Sequence, residues 1–425
     1  MIRKPFFGIV SPKLSYDAIA DNQPEPVTVF PREKITLFID TPFEKSSKAL
    51  LRSGDAVKSG EKLRVYPDSE PYAISPVAGK IDSVMPFIGI MEKKMTAITV
   101  RMEKASGSGE DDSFRKAAKT PDMETLRGYL ATIPGNPDFS RITQAGKPVK
   151  TIVVLGADND LLTITNQFVI KTGITSVKAG IDILRKITGI QNVILVVPAH
   201  LVKVAGAASA GVKTVGNNYP AAHPEVIAFR LLGEEGGAVG SGIAFFSAEA
   251  VSEIGNAVGA GRIPTNKRFT FVGKDGIRKL VSAPIGTHVG DILETFGEKV
   301  DPGDRIIFGG PMTGSAIYSL EHPVQPDTDT IIVQDRAEIV ASTDAYCINC
   351  GQCVRVCPTN VPVNELIRYL DAGEYEAAAE RTDLDACIEC GYCTYVCEGR
   401  IPIFQYIRLA KNALERMKTA EEENA

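Results

Sequence analysis

The first 346 residues of this 425-residue chain contain no cysteine, which excludes the disulfide framework of a small secreted domain. No stretch approaches the roughly 18 uninterrupted apolar residues that a membrane helix needs. Residues 1–17 hold too short an apolar run for a signal peptide and are broken by Pro12, so any membrane association is expected to come through a partner. Basic residues number 47 against 52 acidic ones, for a net charge of −5, and they form no long run. Nucleic-acid binding is therefore not expected. Histidine is scarce, and His200, His223, His288 and His322 are too scattered for a catalytic or metal role. No G-x-G-x-x-G fingerprint follows a strand, and the glycine-rich 236–242 stretch lacks the lysine of a phosphate-binding loop, which leaves it as a connection. No nucleophile–base pair or paired carboxylates can be singled out. What remains, 44% hydrophobic and 23% charged residues, is the composition of a globular protein, long enough for two to four domains.

All 8 cysteines lie between positions 347 and 397. Cys347, Cys350, Cys353 and Cys357 follow the spacing C-x2-C-x2-C-x3-C and precede Pro358. Cys387, Cys390, Cys393 and Cys397 repeat it 40 residues later. Three thiolates on a tight loop can each hold one iron of a cubane, and the fourth cysteine is expected to begin the next helix. Zinc would need only four thiolates per site, leaving the third close cysteine of each run surplus. The spacing resembles that of bacterial two-cluster ferredoxins. That resemblance implies two [4Fe–4S] clusters with crossed ligands: Cys347, Cys350, Cys353 and Cys397 on one, and Cys387, Cys390, Cys393 and Cys357 on the other. Gly351 and Gly391 would let backbone N–H groups approach the cluster sulfurs. Helices are expected over 363–372, 374–381 and 402–417, with a frayed tail at 418–425. Tyr346, Tyr392, Tyr395, Phe404 and Tyr406 are expected to shield the clusters.

The rest of the chain reads as alternating β and α/β regions. Residues 27–30 and 34–39 look like strands. The stretches Ser53-Gly-Asp-Ala-Val-Lys-Ser-Gly-Glu-Lys-Leu63 and Ile74-Ser-Pro-Val-Ala-Gly-Lys-Ile81 resemble the strand–turn–strand units of lipoyl and biotinyl domains, a barrel-sandwich hybrid. The tip between them, 66–71, has no lysine to modify, so carrier function is not expected; Lys93 and Lys94 read as a solvated turn. Residues 104–112 are polar and Gly/Ser-rich, a natural linker. A strand at 150–155, a turn in which Asp158 or Asp160 caps a helix, a helix at 177–188 and a strand at 192–197 describe a parallel βαβ unit. A hairpin of 268–272 and 277–282, a helix at 289–295 capped by Thr287, and strands at 305–308 and 330–333 fit a β-grasp. The expected domains are 1–103 (barrel-sandwich hybrid), 104–147 (linker and helix), 148–262 (Rossmann-like α/β), 263–340 (β-grasp) and 341–425 (helical, two-cluster).

This order of parts resembles the C subunit of the Rnf electron-transport complex. The most specific match is Cys387-Ile-Glu-Cys-Gly-Tyr-Cys-Thr-Tyr-Val-Cys397 with Ile401-Pro-Ile-Phe-Gln-Tyr-Ile-Arg-Leu-Ala-Lys411. The turn Gly309-Gly-Pro-Met-Thr-Gly314 and Ile285-Gly-Thr287 strengthen it. The family is related to the NADH-binding flavin subunit of respiratory complex I, the A subunit of sodium-translocating quinone reductase, and cobalamin reductases. Its members oxidise NADH through FMN and pass electrons to clusters. The family's glycine-rich flavin loop is replaced here by 130–140, with Pro134, Asn136, Pro137 and Asp138, and two further flavin motifs are degraded at 155–161 and 219–225. The resemblance thus implies an iron–sulfur electron-transfer subunit of a larger complex, working with other redox subunits and a membrane-bound module. It would lie on the cytoplasmic face of the membrane without spanning it. FMN is not expected to bind tightly. The alternatives are an FMN-containing NADH dehydrogenase subunit and a zinc-stapled scaffold.

Overall fold

The computed structural model describes residues 12–44, 48–103, 109–144, 148–233 and 242–424. Positions 1–11, the 104–108 part of the expected linker and the glycine-rich 236–241 lie outside the described residues. The chain is a mixed α/β, multidomain protein, with four sheets among the described residues and a helical C-terminal region.

The first sheet is antiparallel, in the order Lys34–Ile39, Lys94–Met102, Gly79–Ile88, Ala56–Val57. A two-stranded pair, Lys62–Leu63 and Ala73–Ile74, stands beside it. Alternation along these strands turns Ile35, Leu37, Ile39, Ile81, Ile98 and Val100 into one core. Val27–Thr28 leaves this sheet and pairs in parallel with Val281 and Ser282 of the third sheet. Lys93, read as a solvated turn residue, is exposed and pairs with Asp40 at 2.6 Å. Three short helices, Ser113–Ala117, Met123–Tyr129 and Ser140–Thr143, follow.

The second sheet is parallel, in the order Gly211–Val215, Asn192–Pro198, Thr151–Leu155, Ile243–Ser247. Helices Thr165–Thr188 and Ala248–Ala260 pack against each other across it, so closely that Gly180 lies on the Val251 carbonyl. The first helix starts 12 residues before the expected 177, with non-helical angles at Gly173. Residues Thr165, Asn166, Gln167, Phe168, Val169 and Ile170 are all buried, so this opening stretch has no polar face and shows no amphipathic period. Asp158 serves its N-terminus as expected, accepting from the backbone N–H of Asn166 at 2.7 Å. Asp160 does not cap this helix; it binds another turn, described below.

The third sheet has six strands, in the order Val27–Thr28, Arg278–Pro284, Asn266–Val272, Thr330–Gln334, Arg305–Phe308, Ser315–Ile317. Helix Val289–Thr295 covers it, burying Val289, Ile292 and Leu293. Thr287 does not cap this helix. Its hydroxyl donates to the Pro284 carbonyl at 2.7 Å, and His288 occupies the cap position without a side-chain cap bond.

The C-terminal region packs Val363–Asp371, Tyr375–Thr382 and Ile403–Asn424 around Leu366, Ile367, Leu370, Leu384, Ile403 and Ile407. The last helix continues to Asn424, through the tail expected to fray. Among the described residues, no helix is long and apolar enough to cross a membrane.

Candidate metal centre

Each cysteine run folds as a loop with the same backbone. Asn349 and Glu389 have φ of 56° and 54°, Gly351 and Gly391 have 72° and 71°, and Asn360 and Arg400 have 60° and 54°. These pairs keep the 40-residue offset of the cysteines, so the repeat seen in the spacing is also a repeat of conformation. The third cysteine of each run lies in a short helical turn, Gln352–Val356 or Tyr392–Tyr395. The fourth does not begin the next helix. Cys357 caps the end of its turn, Cys397 follows the Val396 cap of the other, and the helices start at Val363 and Ile403.

The two loops face each other and enclose two cavities of near-equal size. One, with about 20 Å³ of free space, is lined by Cys347, Cys350, Cys353 and Cys397, with Gly351 and Gln352. The other, also with about 20 Å³ of free space, is lined by Cys357, Cys387, Cys390 and Cys393, with Gly391, Tyr392 and Phe404. Each cavity therefore gathers three thiols of one run and the fourth of the other. Among the described residues, no three His, Cys, Asp or Glu side chains converge tightly enough for a single metal ion. The thiols instead form two four-sulfur sets, the donor chemistry of iron–sulfur groups or zinc.

The cavities differ in exposure. The first lies at the surface, where Cys350, Ile348 and Tyr346 are exposed. Tyr346 (86% exposed) and Tyr395 (53%) are largely open to solvent, and neither lines the two cysteine cavities. Tyr392 and Phe404 are buried and line the second cavity, and Tyr406 borders a groove beside Cys347. Burial pushes the Cys353 thiol up to about 11 and that of Cys390 up to about 12, and raises Cys387 and Cys393 as well. These thiols would hold a cationic metal group as thiolates, which such a group would stabilise.

The second, inner cavity is anchored to the rest of the chain. The Tyr219 hydroxyl donates to the Cys390 carbonyl at 2.5 Å. Tyr219 also contacts Tyr16 and Tyr392, with ring centroids 5.7 and 5.9 Å away, and burial raises the phenols of Tyr16 and Tyr219. Gly391 meets the Met312 carbonyl so closely that a side chain would collide with it. Met312 is held by Asp160, whose buried carboxylate accepts from Met312 N at 3.3 Å, Thr313 N at 2.9 Å and Thr313 Oγ1 at 2.7 Å. The 309–314 turn thus forms a wedge between the α/β region and the inner cavity. Lys411, on the last helix, donates to the Cys387 carbonyl at 2.6 Å and to Glu389 Oε1 at 3.0 Å. Sequence reasoning missed Tyr16, Asp160, Tyr219 and Lys411 as neighbours of the cysteines. The turn motif at 309–314 was the one available signal.

A second constellation stands at the carboxyl ends of the paired parallel strands Thr151–Leu155 and Ile243–Ser247, the strand ends at which α/β folds place ligands. Here the crevice is filled by the protein. Asp158, fully buried and pushed up to about 6 by desolvation, accepts from Asn166 N and from Gln167 Nε2 at 3.0 Å. Glu249, also buried, pairs with Lys267, which reaches Asp329 at 3.0 Å. The 130–140 stretch closes the edge: Ser247 Oγ donates to the Gly135 carbonyl, and Gly135 N to Pro326 O. Asp138 accepts from Ser140 N at 2.8 Å within its own turn. A cavity of about 600 Å³ elsewhere, beside Arg268 and Glu253, has no cysteine in its wall. The four histidines do not converge either. His223 accepts from Glu225 N, His288 meets the Thr36 hydroxyl, and His322 sits among Phe38, Phe87 and Phe308.

Fold and thiols together define a multidomain α/β protein ending in an iron–sulfur domain, and a 4Fe-4S dicluster domain profile matches residues 339–398. The relatives make the resemblance more particular. The chain is similar to the C subunit of the ion-translocating oxidoreductase complex from Methanosarcina acetivorans (34% identical over 32% of this chain and 29% of the relative), Rhodobacter capsulatus (25% over 54% and 47%) and Haemophilus influenzae (23% over 77% and 53%). It is RnfC-like, and spans about half the length of these relatives or less. Among solved structures, a chain of an NAD+-reducing [NiFe]-hydrogenase matches with a TM-score of 0.47 at 14% identity, over 69% of this chain and 64% of that one.

Proposed function

We propose that this protein is an iron–sulfur electron-transfer subunit of a larger redox complex, holding two [4Fe–4S] clusters in crossed ligand sets. The observation that carries the proposal is the composition of the two cavities, three thiols from one run and one from the other in each. Cys347, Cys350, Cys353 and Cys397 would hold the outer cluster, and Cys357, Cys387, Cys390 and Cys393 the inner one. Bound there, the clusters supply reversible one-electron chemistry. The chain's own part is to fix eight thiols, exclude water from the inner cavity with Tyr392 and Phe404, and hold that cavity against the α/β region through Tyr219 and Met312.

The architecture supports the finer domain reading. The antiparallel N-terminal sheet serves as a barrel-sandwich hybrid, the parallel sheet as a Rossmann-like domain, and the mixed six-stranded sheet as a β-grasp. The partners are other redox subunits, including a membrane-bound module that keeps this chain peripheral to the cytoplasmic face. The outer cavity, open at Cys350, is the side available to such a partner.

FMN has no place in this reading. Asp158 and Glu249 put carboxylates where a phosphate would need donors, and the 130–140 stretch occupies the rim. Iron analysis and EPR on anaerobically purified protein test the proposal. About eight irons per chain and two reducible signals are expected. Zinc without iron would overturn it in favour of the stapled scaffold.

A further inference from the structure

The two cysteine loops share their backbone but differ in charge at one matching position. Asn349 and Glu389 occupy the same position, one residue before the second cysteine, with φ of 56° and 54°. Each is clamped by the helix that follows its own run. Asn364 Nδ2 donates to Asn349 Oδ1 at 2.8 Å in the outer loop, a neutral pair. Lys411 Nζ donates to Glu389 Oε1 at 3.0 Å in the inner loop, an ion pair. Lys411 also reaches past the carboxylate to the Cys387 carbonyl at 2.6 Å, on the backbone of a ligand. The ion pair is about three-quarters buried on the lysine side, where charges act more strongly than in water.

We infer that Lys411 and Glu389 are a potential-setting pair for the inner cluster. The ammonium favours the reduced, more negative state, and the carboxylate opposes it. The lysine holds the potential up by lying on the Cys387 carbonyl while masking Glu389. At the matching position the outer loop holds the neutral Asn349–Asn364 pair. Neighbouring groups leave this contrast in place: His223 faces Glu389 and the Ile388 carbonyl, but burial pushes its pKa down to about 4, so it is neutral at pH 7.

The inference rests on cluster binding by the 387–393 thiols, so its test begins with loaded, full-length protein. Midpoint potentials are read for both clusters by EPR-monitored redox titration. Lys411→Met should lower the inner midpoint, with a tenfold change in the reduction equilibrium read as about 59 mV for one electron. Glu389→Gln should raise it, and the double variant should return near the starting value. The outer midpoint should stay fixed in all three. If Lys411→Met loads poorly, Lys411→Arg keeps the charge and Glu389→Gln still reads the opposite arm. Loaded variants with unmoved inner midpoints, or with equal shifts in both clusters, would overturn the inference. Absence of iron and signal in the unsubstituted protein would instead overturn the cluster reading beneath it.

Discussion

Gly391, in the inner cysteine loop, lies directly against the carbonyl of Met312, 79 positions earlier, in the turn between the third-sheet strands. This contact joins the cluster domain to the body of the protein, and it depends on the absence of a side chain at a position with φ of 71°.

Gly391→Ala and Gly351→Ala therefore separate two effects. Both residues have left-handed φ, but Gly351 has open space where a side chain would go. Gly351→Ala should cost about 1–2 kcal/mol, from backbone strain alone. Gly391→Ala adds a collision and should cost about 2–5 kcal/mol. Denaturant unfolding followed by cluster absorbance measures both. Equal losses would mean that the Met312 contact contributes nothing.

Asp160 is the second joint of the wedge. Asp160→Ala leaves Met312 N, Thr313 N and the Thr313 hydroxyl without their acceptor, which should cost about 2–4 kcal/mol. The inner cluster should bleach faster in chelator than the outer one, and Asp160→Asn should restore part of the difference. Unchanged bleaching would place the joint elsewhere.

Acid should destabilise the protein through its buried histidines. Burial among Phe38, Phe87 and Phe308 pushes His322 down to about 4. A lowered histidine pKa means that the unfolded chain binds the proton first, so the neutral ring's contribution is complete above about 6.5 and is lost as pH falls toward 4. Discounted for partial exposure, the loss is about 1–2 kcal/mol. His322→Phe should flatten that part of the stability–pH curve, measured as denaturant midpoints at pH 7 and pH 5. Parallel curves for the two proteins would contradict this.

The filled crevice predicts that calorimetric titration of FMN or NADH into the full chain gives no saturable heat, and that NADH leaves the cluster absorbance unchanged. Stoichiometric flavin released by acid would restore the dehydrogenase reading.

The repeat of the two cysteine loops was legible because spacing is a local property, and the repeat of spacing carried the repeat of loop conformation with it. The strands at 34–39, 151–155 and 192–198 were legible for the same reason: their burial alternates or is continuous over a few residues. The helix from Thr165 was not, because its first turns are buried all round. The role of Asp160 was not, because its partners lie more than 150 positions away, and the turn it binds reveals its purpose only beside Gly391. Aromatic residues near the cysteines looked like shields, yet Tyr346 and Tyr395 point to solvent while Tyr16 and Tyr219, distant in sequence, stand at the inner loop.

The crossed ligand sets are tested most directly by exchanging the fourth cysteine of each run. Cys357→Ser removes a thiol from the inner cavity although it belongs to the first run, and Cys397→Ser removes one from the outer cavity. EPR of the reduced proteins should show Cys357→Ser altering the signal that Cys390→Ser also alters, and Cys397→Ser altering the signal shared with Cys350→Ser. If Cys357→Ser instead perturbed the signal shared with Cys350→Ser, each run would hold its own cluster and the crossed arrangement would be wrong.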